Sequence, residues 1–281
     1  MIKITADSTC DLSPELLRIW NVSLSPLCVV VDGEIFHDGV TIRPSEIFTY
    51  VDQGKNCSTA AGNIDEYYHF FKKHLDEGAQ GIVHISISSH LSCSYANAHH
   101  AASYFPNVVV VDSLNISSGS ALMVKEAVSL AQEGFSTQEI AEKLHALSDF
   151  IEFSFVVNNI DYLRRGGRCS ALEATGAKIL NIKPSIEVEK GKLSPSKKYR
   201  GTFPLCIKNY VSTRLSQRTD IDTDTVFITH CECNEELLYA VKEQVLSLVP
   251  FENVYIAQAG CTIACHCGPG TLGLLFRRKF F

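Results

Sequence analysis

The chain has 281 residues, 46% of them hydrophobic, with 25 Lys and Arg against 31 Asp and Glu for a net charge of −6. That length allows a substantial core in one large domain or two. The acidic balance and the lack of a basic run argue against nucleic acid or an anionic membrane as the main partner, and no apolar run reaches the roughly 18–20 residues of a spanning helix.

The N-terminus enters a strand pattern at 2–6 without a signal-peptide apolar region, so the expected compartment is the cytoplasm. A loop, Asp7-Ser8-Thr9-Cys10-Asp11, follows at the strand end, where ligands collect in open α/β sheets; a turn capped by its own side chains fits as well. Ser13-Pro14-Glu15 supplies a cap, a first-turn proline and an acidic first turn for a helix. A second strand is predicted around 24–31, turning at Asp32-Gly33 and returning through 34–39.

Residues 44–75 read as two helical segments separated by a small polar loop over 57–62, in which Ser58 or Thr59 is placed to meet a ligand head group. Asn63 with Glu66 is a capping signature for the second helix. A buried strand over 81–87 runs into Ser88-Ser89-His90-Leu91-Ser92-Cys93-Ser94-Tyr95, and Leu91, Tyr95, Ala98, Ala102 and Phe105 then recur at helical spacing. Serines at a strand-to-helix turn suit a carboxylate or phosphate held by hydroxyls and backbone N–H groups; equally, Ser89 or Ser92 caps the helix. A parallel strand at 107–113, a helix over 121–133 ended by Gly134, and a capping box at Ser136 and Glu139 complete a Rossmann-like rhythm to about residue 148.

The pattern then changes. A strand at 153–157 precedes the basic, glycine-broken turn Leu163-Arg164-Arg165-Gly166-Gly167-Arg168. The stretches 182–189 and 193–199 flank Lys190-Gly191 as a hairpin, and helix, strand (226–229), helix and strand (254–257) follow. The expected fold is therefore α/β with two domains: a parallel Rossmann-like sheet over 1–149, and over 150–281 an α/β domain with a partly antiparallel sheet. His266-Cys267-Gly268-Pro269-Gly270-Thr271-Leu272-Gly273 fits G-x-G-x-x-G in form only, because too little chain follows for a dinucleotide-binding unit. What remains is a turn whose Gly268 and Gly270 allow close backbone approach to a ligand, with His266 at its mouth.

Eleven cysteines, an odd number in an expected reducing compartment, read mainly as small buried hydrophobes. The clusters at 230–233 and 261–267 lack paired C-x₂-C spacing, so buried strand-end cysteines are expected rather than a metal site.

Taken together, Asp7-Ser8-Thr9-Cys10-Asp11-Leu12, the Ser88–Tyr95 stretch (as S-S-x-L-S-G-T-Y), Val111-Asp112-Ser113, Tyr162-Leu163-Arg164-Arg165-Gly166-Gly167-Arg168, Leu180-Asn181-Ile182-Lys183-Pro184 and His266-Cys267-Gly268-Pro269-Gly270 resemble, in order and over nearly the whole chain, the DegV family. The resemblance implies a two-domain protein that encloses a long-chain fatty acid between its domains. In bacteria such proteins present the acid to a separate fatty acid kinase and carry the acyl phosphate toward phospholipid metabolism. It matches Ser92 and Thr59 to the residues that bind the carboxylate, Arg168 and His266 to the polar end, and Arg200 more loosely to an arginine after the hairpin. It implies no cofactor, no metal and no catalysis by the chain alone. Departures occur at Thr59-Ala60-Ala61-Gly62-Asn63 in place of T-S-Q-P-S, at Cys93 in place of glycine, and at Cys265 in place of threonine. Two other readings compete: a serine hydrolase using Ser92 and His266, which lacks the G-x-S-x-G elbow, and a cysteine-based metal or redox protein.

Overall fold

The fold is given by a computed structural model in which residues 1–169 and 182–279 are described. Four parallel strands, β1 (Ile2–Asp7), β2 (Ser23–Ser25), β6 (Gly81–Ser86) and β7 (Val108–Asp112), form one sheet in the order β2-β1-β6-β7. Helices α1 (Pro14–Ile19), α3 (Ile64–Asp76), α4 (Ser94–Ala102), α5 (Ser118–Gln132) and α6 (Thr137–Ser148) connect and cover it. The capping boxes expected at Asn63 and Ser136 both form. β6 is buried along its whole length, as a strand packed on both faces must be.

Between β1 and β6 the chain departs from expectation. The predicted strand at 24–31 is two strands: β2 ends at Ser25, and after Pro26 the chain leaves for a separate antiparallel sheet. Proline has no N–H to extend the ladder. That second sheet is β4-β3-β5, built from β3 (Cys28–Val31), β4 (Glu34–His37) and β5 (Cys57–Ala60), with α2 (Pro44–Asp52) between the last two. The stretch expected to be a small polar loop is therefore in part an edge strand, β5.

The third sheet has six strands in the order β10-β9-β8-β13-β11-β12: β8 (Ile151–Val157), β9 (Ile182–Glu189), β10 (Lys192–Arg200), β11 (Ile221–Cys231), β12 (Asn253–Gln258) and β13 (Thr271–Arg278). Only β11–β12 is parallel; the other pairs are antiparallel. The hairpin turns at Lys190 (φ 48°) and Gly191 (φ 79°), the left-handed pair that matches strand twist. Helices α7 (Asp161–Gly166), α8 (Phe203–Leu215), α9 (Glu235–Leu248) and α10 (Cys261–Cys267) complete the second half.

Three elements differ from the sequence reading here. The basic turn is mostly the short helix α7, closed by Gly167 at φ 65°. The cysteines of 261–267 lie on a helix, not at strand ends: Cys261 and Cys265, one turn apart, pack with Val29, Val31, Ile42 and Ile47 of the small sheet and its neighbours. The short tail after Gly273 belongs to β13, the strand between β8 and β11. Helix α5, with ten buried residues, lies in a core that runs without interruption from Ile4 and Val83 to Phe227 and Leu275, so both large sheets share one apolar interior. Leu180 and Asn181 fall outside the described residues. Among the described residues no helix is long and apolar enough to cross a membrane.

Candidate functional site

Where the C-terminal ends of β1, β6 and β7 face α10 and the hairpin lies a partly open cavity of about 60 Å³. Its walls are largely apolar: Leu27, Ile87, Leu163, Leu193 and Ile263 among them. Thr59, Ser92, Arg168 and His266, spread over more than two hundred positions of sequence, all stand in this wall. The other residues singled out from sequence lie elsewhere. Ser58 points to the exposed face of β5, because neighbours on a strand alternate, and Arg200 is exposed at the end of β10. Gly268 (φ 74°) and Gly270 (φ 68°) shape the turn behind the cavity; a Cβ on Gly268 would meet the Tyr162 ring at 2.4 Å.

His266 is the best-defined member of the group. Its Nε2 lies 2.8 Å from Thr59 Oγ1, while Nδ1 is sealed from solvent without a partner among the described residues. Burial, helped by the Arg168 charge, lowers its pKa to about 4, so the ring is neutral at physiological pH. Nδ1 is pressed against Gly166, so closely that a Cβ there would sit 2.1 Å away. Among the described residues a proton on Nδ1 would have no acceptor, which favours the tautomer protonated at Nε2. In that tautomer the N–H donates to Thr59, and the Thr59 hydroxyl hydrogen is left for another acceptor.

Ser92 accepts the Ser94 N–H at 3.2 Å, and its Oγ is 2.8 Å from Ser94 Oγ. It is thus the first polar group ahead of α4, whose N-cap position, Cys93, makes no side-chain bond. Ser89 does not cap the helix; its N–H donates to Asp112. Arg168 folds back so that Nη1 donates to the Gly166 carbonyl at 2.8 Å, close by His266. The neighbouring Arg165 lies over the Tyr162 ring.

The Asp7–Asp11 loop stands one layer behind the cavity and holds it together. Asp7, fully buried, accepts from Tyr67 Oη (2.6 Å), Ser86 Oγ (2.7 Å) and the Ile87 N–H (2.9 Å), with His84 Nε2 at 3.2 Å. Burial works against its charge, but the bonds from His84, Tyr67 and Ser86 outweigh it and hold the carboxyl below its ordinary pKa. Ser8 Oγ accepts the Leu27 N–H and donates to Asp38. Asp38 in turn accepts the Cys261 and Thr262 N–H groups, and Asp11 accepts that of Gly260 at 2.8 Å. Two aspartate side chains from the first forty residues thus take the first amides of α10, the helix that carries His266.

Sequence reasoning missed two polar wall residues, Ser117 and Thr262. Ser117 sits at φ 56° and donates to Asp11 at 2.5 Å; only the serine-rich run at 117–120 hinted at it. Thr262 lay hidden in the cysteine cluster. A Ser92–His266 catalytic pair is not assembled, because His266 bonds Thr59 and no carboxylate reaches its Nδ1 among the described residues. Among the described residues no three His, Cys, Asp or Glu side chains converge to hold a metal.

The profile of a family described as uncharacterised proteins of the DegV family matches residues 1–279. A DegV domain-containing protein of Caldanaerobacter subterraneus is 28% identical over 280 residues, 99% of each chain. Among solved structures, a DegV family protein of Thermus thermophilus, described by its fatty acid binding, is 29% identical with a TM-score of 0.88 over 99% of both chains. A stearic acid-binding protein of Eubacterium ventriosum is 28% identical with a TM-score of 0.84, again over 99% of both chains.

Proposed function

The chain belongs to the DegV family, and from that membership we propose that it is a carrier that holds one long-chain fatty acid between an N-terminal domain (1–149) and a C-terminal domain (150–281). Ser92 and Thr59 donate to the carboxylate, with the Thr59 hydrogen directed by His266. The carboxylate is an acceptor-only group, and charge-assisted bonds from hydroxyls and backbone amides allow it to be buried. Arg168 lies at the polar end, where positive charge favours both the carboxylate and a phosphoryl group transferred to it. That transfer is assigned to a separate fatty acid kinase in the cytoplasm, with the acyl phosphate carried by this chain. Arg200, outside the cavity wall, has a place in this scheme only at the surface that meets the kinase.

The observation that supports the reading is the gathering of Thr59, Ser92, Arg168 and His266 in the wall of a largely apolar cavity. Native mass spectrometry of the purified protein, then of its organic extract, should show one fatty acid per chain. Ser92→Ala removes a charge-assisted bond of about 1.5–3 kcal/mol, which lowers affinity for stearate by about 10- to 150-fold without unfolding the chain. A protein that neither carries nor takes up fatty acid, or a Ser92→Ala variant with wild-type affinity, would overturn the assignment.

A further inference from the structure

We propose that the tip of the β9–β10 hairpin is the gate of the ligand cavity and that Ser88 is its latch; this rests on the fatty-acid reading above. β9 pairs with β8 only from Ser185 to Glu187, and past that point Val188, Glu189, Lys192 and Leu193 pair with one another alone. The tip therefore projects beyond the third sheet and comes to rest on residues of the N-terminal half. Among the described residues one hydrogen bond ties it there, from Ser88 Oγ to the Gly191 carbonyl at 2.8 Å. Gly191 is seated so closely that a Cβ would meet Ser88 Oγ at 2.5 Å, His90 at 2.8 Å and Leu114 at 3.2 Å. Leu193 packs beside it on Leu27, Ile87 and Leu91.

Leu193 and those three residues are cavity wall. On the other side of the tip lies an open groove of about 950 Å³, lined by Glu189, Lys190, Lys192 and Ser194. Leu193 thus faces in while its neighbours on β10 face out, so lifting the tip into the groove opens the cavity. The loop under the tip is held in strained backbone, with Leu114 at φ 47° and Ser117 at φ 56°, which persists only while its surroundings constrain it. Ser88 also joins the gate to the head-group end. Its carbonyl accepts the N–H groups of Leu91 at 2.9 Å and Ser92 at 3.2 Å, and its hydroxyl accepts that of His90 at 3.2 Å. One buried residue therefore fixes the turn that presents Ser92 and holds the hairpin shut beside it.

The test is stopped-flow uptake and release of the fluorescent long-chain acid cis-parinarate by delipidated full-length protein, with amide exchange of the ligand-free protein measured beside it. Passage in either direction needs the open state, so a weaker latch multiplies uptake and release by one factor. Ser88→Ala removes the latch and keeps the Ser88 carbonyl that seats the Ser92 turn. It should speed uptake and release alike by about 2- to 13-fold, the rate equivalent of one neutral hydrogen bond, and speed amide exchange over 188–193. Gly191→Ala, which pushes the tip off Ser88, should act in the same direction. Circular dichroism confirms that each variant is folded. Wild-type rates in both folded variants overturn the gate alone. Faster release with unchanged uptake is the mark of a displaced Ser92 and overturns it too. Wild-type protein that takes up neither cis-parinarate nor stearate overturns the fatty-acid reading and the gate together.

Discussion

Gly166→Ala sets two physical effects against each other at a single atom. Gly166 is the last residue of α7 and its φ is not in the left-handed region, so on helix propensity alone alanine would stabilise by about 0.5–1 kcal/mol. The new Cβ, however, would lie 2.1 Å from His266 Nδ1 and 3.1 Å from two further ring atoms. No real Cβ contact falls below 3.0 Å, so the ring must move by about 0.9 Å. It has no slack: retreat compresses the 2.8 Å bond to Thr59, and swinging aside breaks it into the cavity. Overpacking costs about 1–3 kcal/mol and the lost bond about 0.5–1.5 kcal/mol, which together exceed the propensity gain. The expected result is a net loss of about 1–3 kcal/mol, a lower thermal midpoint, and weaker retention of stearate because Thr59 loses the partner that orients it. A variant with a raised midpoint and undiminished stearate affinity would refute the placement of His266 against Gly166 and the tautomer argument built on it.

Two buried aspartates should respond to pH in opposite directions. Burial, with Asp38 nearby, raises the Asp11 pKa to about 8; between about pH 4 and pH 8 the unfolded chain releases a proton that the folded chain keeps, so stability falls by up to about 1.4 kcal/mol per pH unit as pH rises. Asp11→Asn should flatten that window in denaturant titrations, and an unchanged slope would argue that Asp11 is ionised. Asp7 is held below its ordinary pKa, so its contribution is present above about pH 4 and lost below; Asp7→Asn, which leaves donors facing an amide, should lower the unfolding midpoint at neutral pH, and wild-type stability there would count against the network. Tyr210, fully buried, accepts the Leu274 N–H at 2.9 Å and donates to the Ser154 carbonyl at 2.7 Å. Tyr210→Phe strands that amide within the third sheet and should cost about 1–3 kcal/mol with no change in stearate binding; a cost below about 0.5 kcal/mol would contradict it.

Elements whose signals are local were legible from sequence. The capping boxes at Ser136 and Asn63, the Lys190-Gly191 turn and the strand expected over 107–113 carry their information within a few residues, and all form, the strand as Val108–Asp112. What escaped depends on distant partners. Helix α10 has a glycine at its N-cap with no side-chain cap, because its capping carboxylates come from Asp11 and Asp38, more than two hundred residues away. Strand β13 is buried on both faces and shows no alternation, so it does not read as a strand by period. At the site, residue types at strand ends and turns drew attention to Thr59, Ser92, Arg168 and His266, but nothing in sequence reported the Thr59–His266 bond. Ser117 and Thr262 stayed invisible because each sits in a run that reads as capping or as cysteine chemistry.

The division of labour between these layers explains the placing of the charges. Asp7, Asp11 and Asp38 lie close behind the cavity wall, where acidic side chains, when ionised, would repel an anionic ligand if they faced it. Each is instead turned toward amides, hydroxyls or an imidazole. Their partners include the residues that shape the wall: Ile87 and Ser117 directly, Leu27 through Ser8, and His266 through α10. The carboxylates act on the cavity only by fixing backbone and hydroxyl positions, and the groups left facing it at its polar end are hydroxyls, a neutral imidazole and one arginine. An N-terminal loop that looks like a ligand site is better understood as the fastening that holds the wall of the cavity in place.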